Sequence, residues 1–157
     1  MLRKTIVIGL LLVVAFMAGR WVVDLTRSEA DRAWLVLQRM AQGFDEGSPS
    51  DAAAGFADDY RDPDSSFGKR EIVGGLIHLK QEYGGTTYPW TIELDRAASR
   101  IEVEGEKALI RGPAVFRGRS SGEAVWIVDF TAQLEPRSGE WRVVSIEVET
   151  QNGRRPF

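Results

Sequence analysis

Ala124-Val125-Trp126-Ile127-Val128-Asp129-Phe130-Thr131-Ala132-Gln133-Leu134 is the stretch on which the fold turns. Ala124, Trp126, Val128, Phe130, Ala132 and Leu134 share one parity and are all apolar. Between them lie Val125, Ile127, Asp129, Thr131 and Gln133. A period of two sustained over 123–135 is the pattern of a β-strand with one face on a core. Shorter runs repeat it. Tyr88, Trp90, Ile92 and Leu94 alternate with Pro89, Thr91 and Glu93, and Ile101 and Val103 alternate with Arg100, Glu102 and Glu104. Ala108, Ile110, Ala114 and Phe116 form one face of a longer strand, in which Pro113 predicts an edge or a bulge, because proline cannot donate to a ladder.

The last strand opens on Trp141 and Val143, after which Val144, Ile146 and Val148 fall on the opposite parity. That switch requires either two covered faces or a bulge near Val143-Val144. Turns are signalled at Glu104-Gly105-Glu106, Arg119-Ser120-Ser121-Gly122 and Arg137-Ser138-Gly139.

Ahead of these strands the apolar period lengthens. Ala30, Ala33, Trp34, Leu37, Met40, Ala41 and Phe44 recur at three- and four-residue steps, the stripe of an amphipathic helix. Thr26-Arg27-Ser28-Glu29 has the spacing of a capping box before it. A second helix is expected from Ser48-Pro49 to Asp62-Pro63, with Ala53, Phe56, Ala57 and Tyr60 inward. A third is expected from Lys69 to Tyr83, with Ile72, Val73, Leu76, Leu79 and Tyr83 on one side and Gly84-Gly85 ending it. Gly74-Gly75 falls inside that helix and follows no strand, so it reads as a site of close helix packing and not as a phosphate loop. Helices grouped before an antiparallel meander make an α+β domain.

The N-terminus has a different character. Met1-Leu2-Arg3-Lys4 is basic, and Ile6 to Gly19 carries no charge. Thr5 to Val23 would make about 28 Å of helix at about 1.5 Å per residue, close to a hydrocarbon core of about 30 Å. Arg20 lies near the end of this segment, where it can snorkel, and Trp21 suits an interface. Arg3 and Lys4 predict a single-pass anchor in a bacterial inner membrane, with the N-terminus in the cytoplasm and all that follows Val23 outside it. A cleaved signal peptide, leaving a secreted or periplasmic domain, is the alternative; Ala15-Phe16-Met17 and Phe16-Met17-Ala18 fail the need for small residues at the third and first positions before a cut, and Met17-Ala18-Gly19 meets it poorly. The expected organisation is a cytoplasmic tip and anchor over 1–23, a domain over 24–150 and a flexible tail over 151–157.

Residues 24–157 suffice for one domain with its own core. They carry 17 basic and 23 acidic residues, a balance against nucleic-acid binding. Arginine outnumbers lysine sixteen to four, a bias that fits a GC-rich bacterial coding sequence. The chain has no cysteine, which excludes disulfides, thiolate metal sites and a lipid-anchored lipoprotein.

Three helices followed by a strongly bent antiparallel sheet resemble the nuclear transport factor 2-like (NTF2-like, SnoaL/ketosteroid isomerase-type) superfamily. Carrying the resemblance are Phe56-Ala57-Asp58-Asp59-Tyr60, Gly68-Lys69-Arg70-Glu71, Val125-Trp126-Ile127-Val128-Asp129-Phe130 and Gly139-Glu140-Trp141-Arg142-Val143-Val144. It spans residues 26–150 and implies a cone with a cavity between the concave sheet and the helices. It says little of function, because the fold serves enzymes, adaptors and secretion scaffolds alike.

Candidate chemistry is sparse. His78, the only histidine, falls on the polar side of the third helix, so neither a His-Asp dyad nor a metal centre is expected. No cofactor is expected either. The resemblance places a catalytic base near the end of the second helix, where Asp59, Asp62 and Asp64 stand. Glu147 is a further carboxylate, and Asp129 lies on the face opposite Trp126. The first helix offers Trp34 and no tyrosine, so the family's phenolic donor is missing there. Trp34, Phe56, Tyr60, Trp90, Phe116, Trp126 and Phe130 are the expected lining of a ligand pocket.

Two functions are compatible with these residues. One is a membrane-anchored, non-catalytic module that binds a small apolar ligand or an envelope protein partner. The other is a carboxylate-dependent isomerase, lyase or hydrolase. A carboxylate turned into the cavity would favour the enzyme, and an apolar cavity would favour the module. Val125, Ile127, Val144, Ile146 and Val148 are expected to form an outward apolar patch through which the domain makes a homodimer.

Overall fold

The computed structural model describes residues 28–156. The expected span and Thr26 lie outside the described residues. Among the described residues no helix is long and apolar enough to cross a membrane. Helix α1 is Glu29–Asp45, α2 is Pro49–Ala52 and α3 is Lys69–Glu82. The strands are β1 Trp90–Leu94, β2 Arg100–Glu104, β3 Lys107–Gly118, β4 Ala124–Arg137 and β5 Glu140–Gly153. All pair antiparallel, in the order β1-β3-β4-β5, with β2 also on β3. The helices pack on one face of this sheet, the α+β arrangement that the periodicities predict.

Ser28 caps α1, its side chain accepting from the Asp31 N–H. The helix buries Ala33, Trp34, Leu37 and Phe44, the expected stripe. Across the sheet the core takes Ala108, Ile110, Val128, Ala132, Leu134 and Val143, none more than 1 % exposed.

The second helix is much shorter than its pattern suggests. Ser48 caps it and Pro49 opens it, but it ends at Ala52. Beyond that, the Ala57 N–H donates to the Val143 carbonyl at 2.9 Å, and the Val143 N–H to the Gly55 carbonyl at 2.8 Å. Backbone groups that a helix would pair internally are joined to β5 instead. Gly55 permits the passage, since a Cβ there would overlap the Met40 and Val36 side chains of α1. The apolar residues Ala53, Phe56, Ala57 and Tyr60 are all buried nonetheless. Their spacing reports burial correctly and conformation wrongly.

Pro113 sits in an unbroken stretch of β3·β4 register, opposite Asp129, with no bulge. On its other side β1 pairs residues 114–118 and β2 pairs residues 107–111. Gly112 and Pro113 thus occupy the gap where β3 changes partner, an edge two residues long, which suits a residue lacking an N–H. Ser99, from the β1–β2 connection, fills the space beside Gly112.

The parity switch in β5 is a bulge. Gln133 pairs with Ser145 and Leu134 with Val143, so Val144 is the extra residue. Beyond it Ala132 pairs with Ile146 and Phe130 with Val148, and both β5 residues therefore share the concave face with Ala132 and Phe130. This corrects the expected outward patch. Val144 is half-buried against the core, as is Val125, the extra residue between Trp126↔Phe116 and Ala124↔Arg117. Of the five patch residues only Ile127 keeps its outward place, paired with Val115 and Asn152. Around it the convex face carries the Arg117–Glu93 and Arg111–Glu102 ion pairs, with Asp129, Glu147 and Glu149. Strand β5 also runs through Gln151-Asn152-Gly153, residues expected in the tail.

Helix α3 matches its pattern, but Gly74-Gly75 does not mark close packing. A Cβ on either residue would meet nothing within 4 Å. Glycine costs about 1 kcal/mol relative to alanine inside a helix, and here no contact is gained in return. Gly74→Ala and Gly75→Ala should each stabilise the domain by up to about 1 kcal/mol, read as a rise in the urea midpoint. An unchanged or lower midpoint would mean that something packs there after all.

Candidate functional site

Between the concave face and the helices lies a cavity of about 220 Å³. Its walls come from Leu37, Met40, Ala41 and Phe44 of α1, Ala52 and Phe56, Ile72 and Leu76 of α3, Ile92 and Leu94 of β1, Ala114 and Phe116 of β3, Trp126, Val128 and Phe130 of β4, and Ile146 and Val148 of β5. Every one of these side chains is apolar. The indole N–H of Trp126 is the only donor among them, and it is engaged by Thr150 Oγ1 at 2.9 Å. Register explains the lining: Phe116↔Trp126, Ala114↔Val128 and Phe130↔Val148 are cross-strand pairs on the inner face. Phe116 and Trp126 lie 4.8 Å apart, ring centre to ring centre.

Four of the seven expected pocket aromatics line this space: Phe56, Phe116, Trp126 and Phe130. The other three lie elsewhere. Trp34 is buried under the Arg96 guanidinium, 5.5 Å from the ring centre. Tyr60 packs against Phe56, the ring centres 4.3 Å apart and the planes tilted by 39°, and burial together with the Asp62 charge pushes its phenol up to about 12. Trp90 is half-buried, edge-on to Tyr83 at 5.2 Å. For the rings on strands, parity and register decide which of them face the hollow. The aliphatic lining from Ile92 and Leu94 could have been found from the same parity.

None of the candidate carboxylates reaches the cavity. Asp59 is exposed and lies 3.7 Å from Arg137 Nη2. Asp62 closes a turn, accepting from the Ser65 N–H at 2.7 Å, the Ser65 hydroxyl at 2.7 Å and the Asp64 N–H at 3.1 Å. Burial pushes its carboxyl up, but these bonds and the charge of Arg155 outweigh that and hold it below the usual range. Asp64 is exposed, and Asp129 and Glu147 are exposed on the convex face, Glu147 opposite Thr131. His78 is exposed on α3.

Asp45 and Arg119 hold one end of the cavity's frame and were not singled out by the sequence. The Asp45 carboxylate accepts from the Ile92 N–H at 2.8 Å. Burial pushes that carboxyl up, against the lowering effects of the Ile92 N–H and of Arg119. Arg119 donates from Nε to the Tyr88 carbonyl at 2.8 Å and from Nη2 to the Asp45 carbonyl at 2.6 Å. Together they tie the end of α1 to β1 and to the β3–β4 turn. Nothing in the local pattern distinguishes these two residues from other surface charges.

No family model and no curated protein matches the sequence. Solved structures do resemble it. An NTF2-like protein with a cystatin-like fold from Novosphingobium aromaticivorans is similar with a TM-score of 0.65 and 18% identity, over 88% of this chain and 90% of that one. A cystatin-like protein of unknown function from Nostoc punctiforme gives a TM-score of 0.63 and 14% identity, over 76% and 89% of the two chains. A ketosteroid isomerase-like protein from Erwinia carotovora atroseptica gives 0.56 and 12%, over 80% and 98%. At such identities the likeness speaks for architecture alone, and the architecture of this domain is that of the NTF2-like fold.

Proposed function

We propose that the chain is a membrane-tethered, extracytoplasmic NTF2-like domain that holds a small apolar ligand without transforming it. The observation that carries this reading is the chemistry of the cavity wall: among the described residues no ionisable side chain lines it. General acid–base work requires a titrating group within hydrogen-bond reach of the reacting atoms. Asp59, Asp62 and Glu147 all lie outside the wall. An apolar hollow lined by aromatic and aliphatic residues is instead suited to a hydrophobic guest, since ligand sites are concave and mostly apolar. The tether is supported by the charge-free run from Ile6 to Gly19 behind Arg3-Lys4.

Native mass spectrometry of the full chain released from lipid nanodiscs tests the reading. A small apolar molecule should accompany the wild type and be lost from Ala114→Leu, which fills the cavity from β3. Overpacking of this kind costs about 1–3 kcal/mol, so the variant should remain folded. A guest retained unchanged by Ala114→Leu would place it somewhere other than the cavity.

A further inference from the structure

Tyr88 is fully buried, and among the described residues its hydroxyl is the only buried side-chain oxygen or nitrogen with no hydrogen-bond partner. Buried hydroxyls are nearly always paired, so an orphan of this kind calls for an explanation. Its surroundings suggest one. Tyr88 packs with Phe44, Ala52 and Leu79, and with Leu76, Trp90 and Ile92. Phe44, Ala52, Leu76 and Ile92 are also cavity wall. The ring stacks on Phe44 at 4.4 Å with the planes 19° apart, so a single aromatic layer belongs both to the cavity and to the tyrosine. Leu76 and Leu79 come from the part of α3 that follows Gly74-Gly75, two residues whose own side of the helix is open and whose helix propensity is low.

We propose that the Tyr88 hydroxyl is the polar contact for the cavity's guest, reached when the Leu76–Leu79 turn of α3 moves aside, and that the guest is an apolar molecule carrying one hydrogen-bonding oxygen, of the carbonyl, ether or hydroxyl kind. The inference rests on the cavity being a ligand site. Burial pushes the phenol up from its ordinary value, which keeps it protonated and able to donate. A donor waiting in apolar surroundings discriminates strongly, because a guest lacking the oxygen leaves it unpaired. Two independent features converge here: a cavity wall with no free polar group and, one layer behind it, a phenol with no partner.

The test uses the full chain in nanodiscs, the variant Tyr88→Phe, and two probes of similar shape, acetophenone and ethylbenzene. Methyl resonances of Val128, Ile92 and Ile146 report occupancy of the cavity, and comparison at fixed lipid cancels partition of the probes into the bilayer. Tyr88→Phe should weaken acetophenone about three- to tenfold, the worth of one hydrogen bond, and leave ethylbenzene unchanged or slightly tighter. Equal loss of both probes, or no loss of acetophenone, overturns the role of Tyr88 and leaves the apolar site standing. Methyls that respond to neither probe in the wild type overturn the site as well. The variant should melt at or above the wild-type temperature, since it removes an unpaired group. A lower Tm would reveal a structural partner for the hydroxyl and overturn the inference too.

Discussion

Trp126→Ala should cost the domain about 3–5 kcal/mol, the range for truncating a buried aromatic. Trp126 is 8 % exposed. It stands in β4 where the strand meets both of its neighbours, paired with Phe116 on one side and Gly153 on the other. Truncation removes the ring contact with Phe116 and leaves the Thr150 hydroxyl without its indole donor. It also merges the vacated volume with the existing cavity, which collapse around the site cannot easily refill. Trp126→Phe keeps most of the apolar area and loses only the hydrogen bond, worth about 1 kcal/mol. Urea denaturation of both variants separates packing from hydrogen bonding. An alanine variant within about 1 kcal/mol of the phenylalanine one would mean that the ring contributes little to the core.

Much of this architecture is legible from parity and period. The apolar face of β4, from Trp126 to Leu134, is buried as its alternation requires, and the α1 stripe lies on the sheet. What local pattern cannot supply is register. Whether Ile146 faces in or out depends on a single extra residue, Val144, and the sequence allows a bulge at that point without requiring one. The same limit applies to Pro113: its missing N–H is plain, but the change of partner from β2 to β1 is a property of three strands together. At the second helix, helical spacing from Ala53 to Tyr60 loses to tertiary pairing, because the Val143 backbone offers those groups partners that a short helix flanking Gly55 would have to supply alone. In the candidate site, aromatic content identified a hollow and four of its rings. The orphaned Tyr88 hydroxyl was invisible, since nothing in a sequence says that a tyrosine oxygen finds no partner.

Ile127 and Val128 are neighbours on β4 whose side chains serve opposite faces, so the same charge placed at each should behave differently. Val128 is 1 % exposed and lines the cavity. A glutamate there would bury a carboxylate in an apolar wall beside Ala114 and Phe130 with no cation to pair with it, a several-kcal/mol penalty or a forced protonation. Val128→Glu should therefore be largely unfolded at pH 7. The sign of its pH dependence follows from the direction of the shift. Burial raises the folded pKa above the unfolded value of about 4.3, so the unfolded chain loses the proton first and stability falls as pH rises. The loss begins near pH 4.3 and continues, at about 1.4 kcal/mol per pH unit, until the folded pKa is reached. Ile127→Glu faces solvent beside Val115 and should stay within about 1 kcal/mol of the wild type, with no such dependence. Ile146→Glu should follow Val128→Glu, because the bulge at Val144 turns it inward. Ile127→Glu also tests the homodimer expected from the sequence: if the convex face is its interface, size-exclusion chromatography shows a folded monomer where the wild type is dimeric. Urea midpoints at pH 4.5 and pH 7 decide the register. A Val128→Glu variant as stable as Ile127→Glu at pH 7 would put the cavity on the wrong side of the sheet.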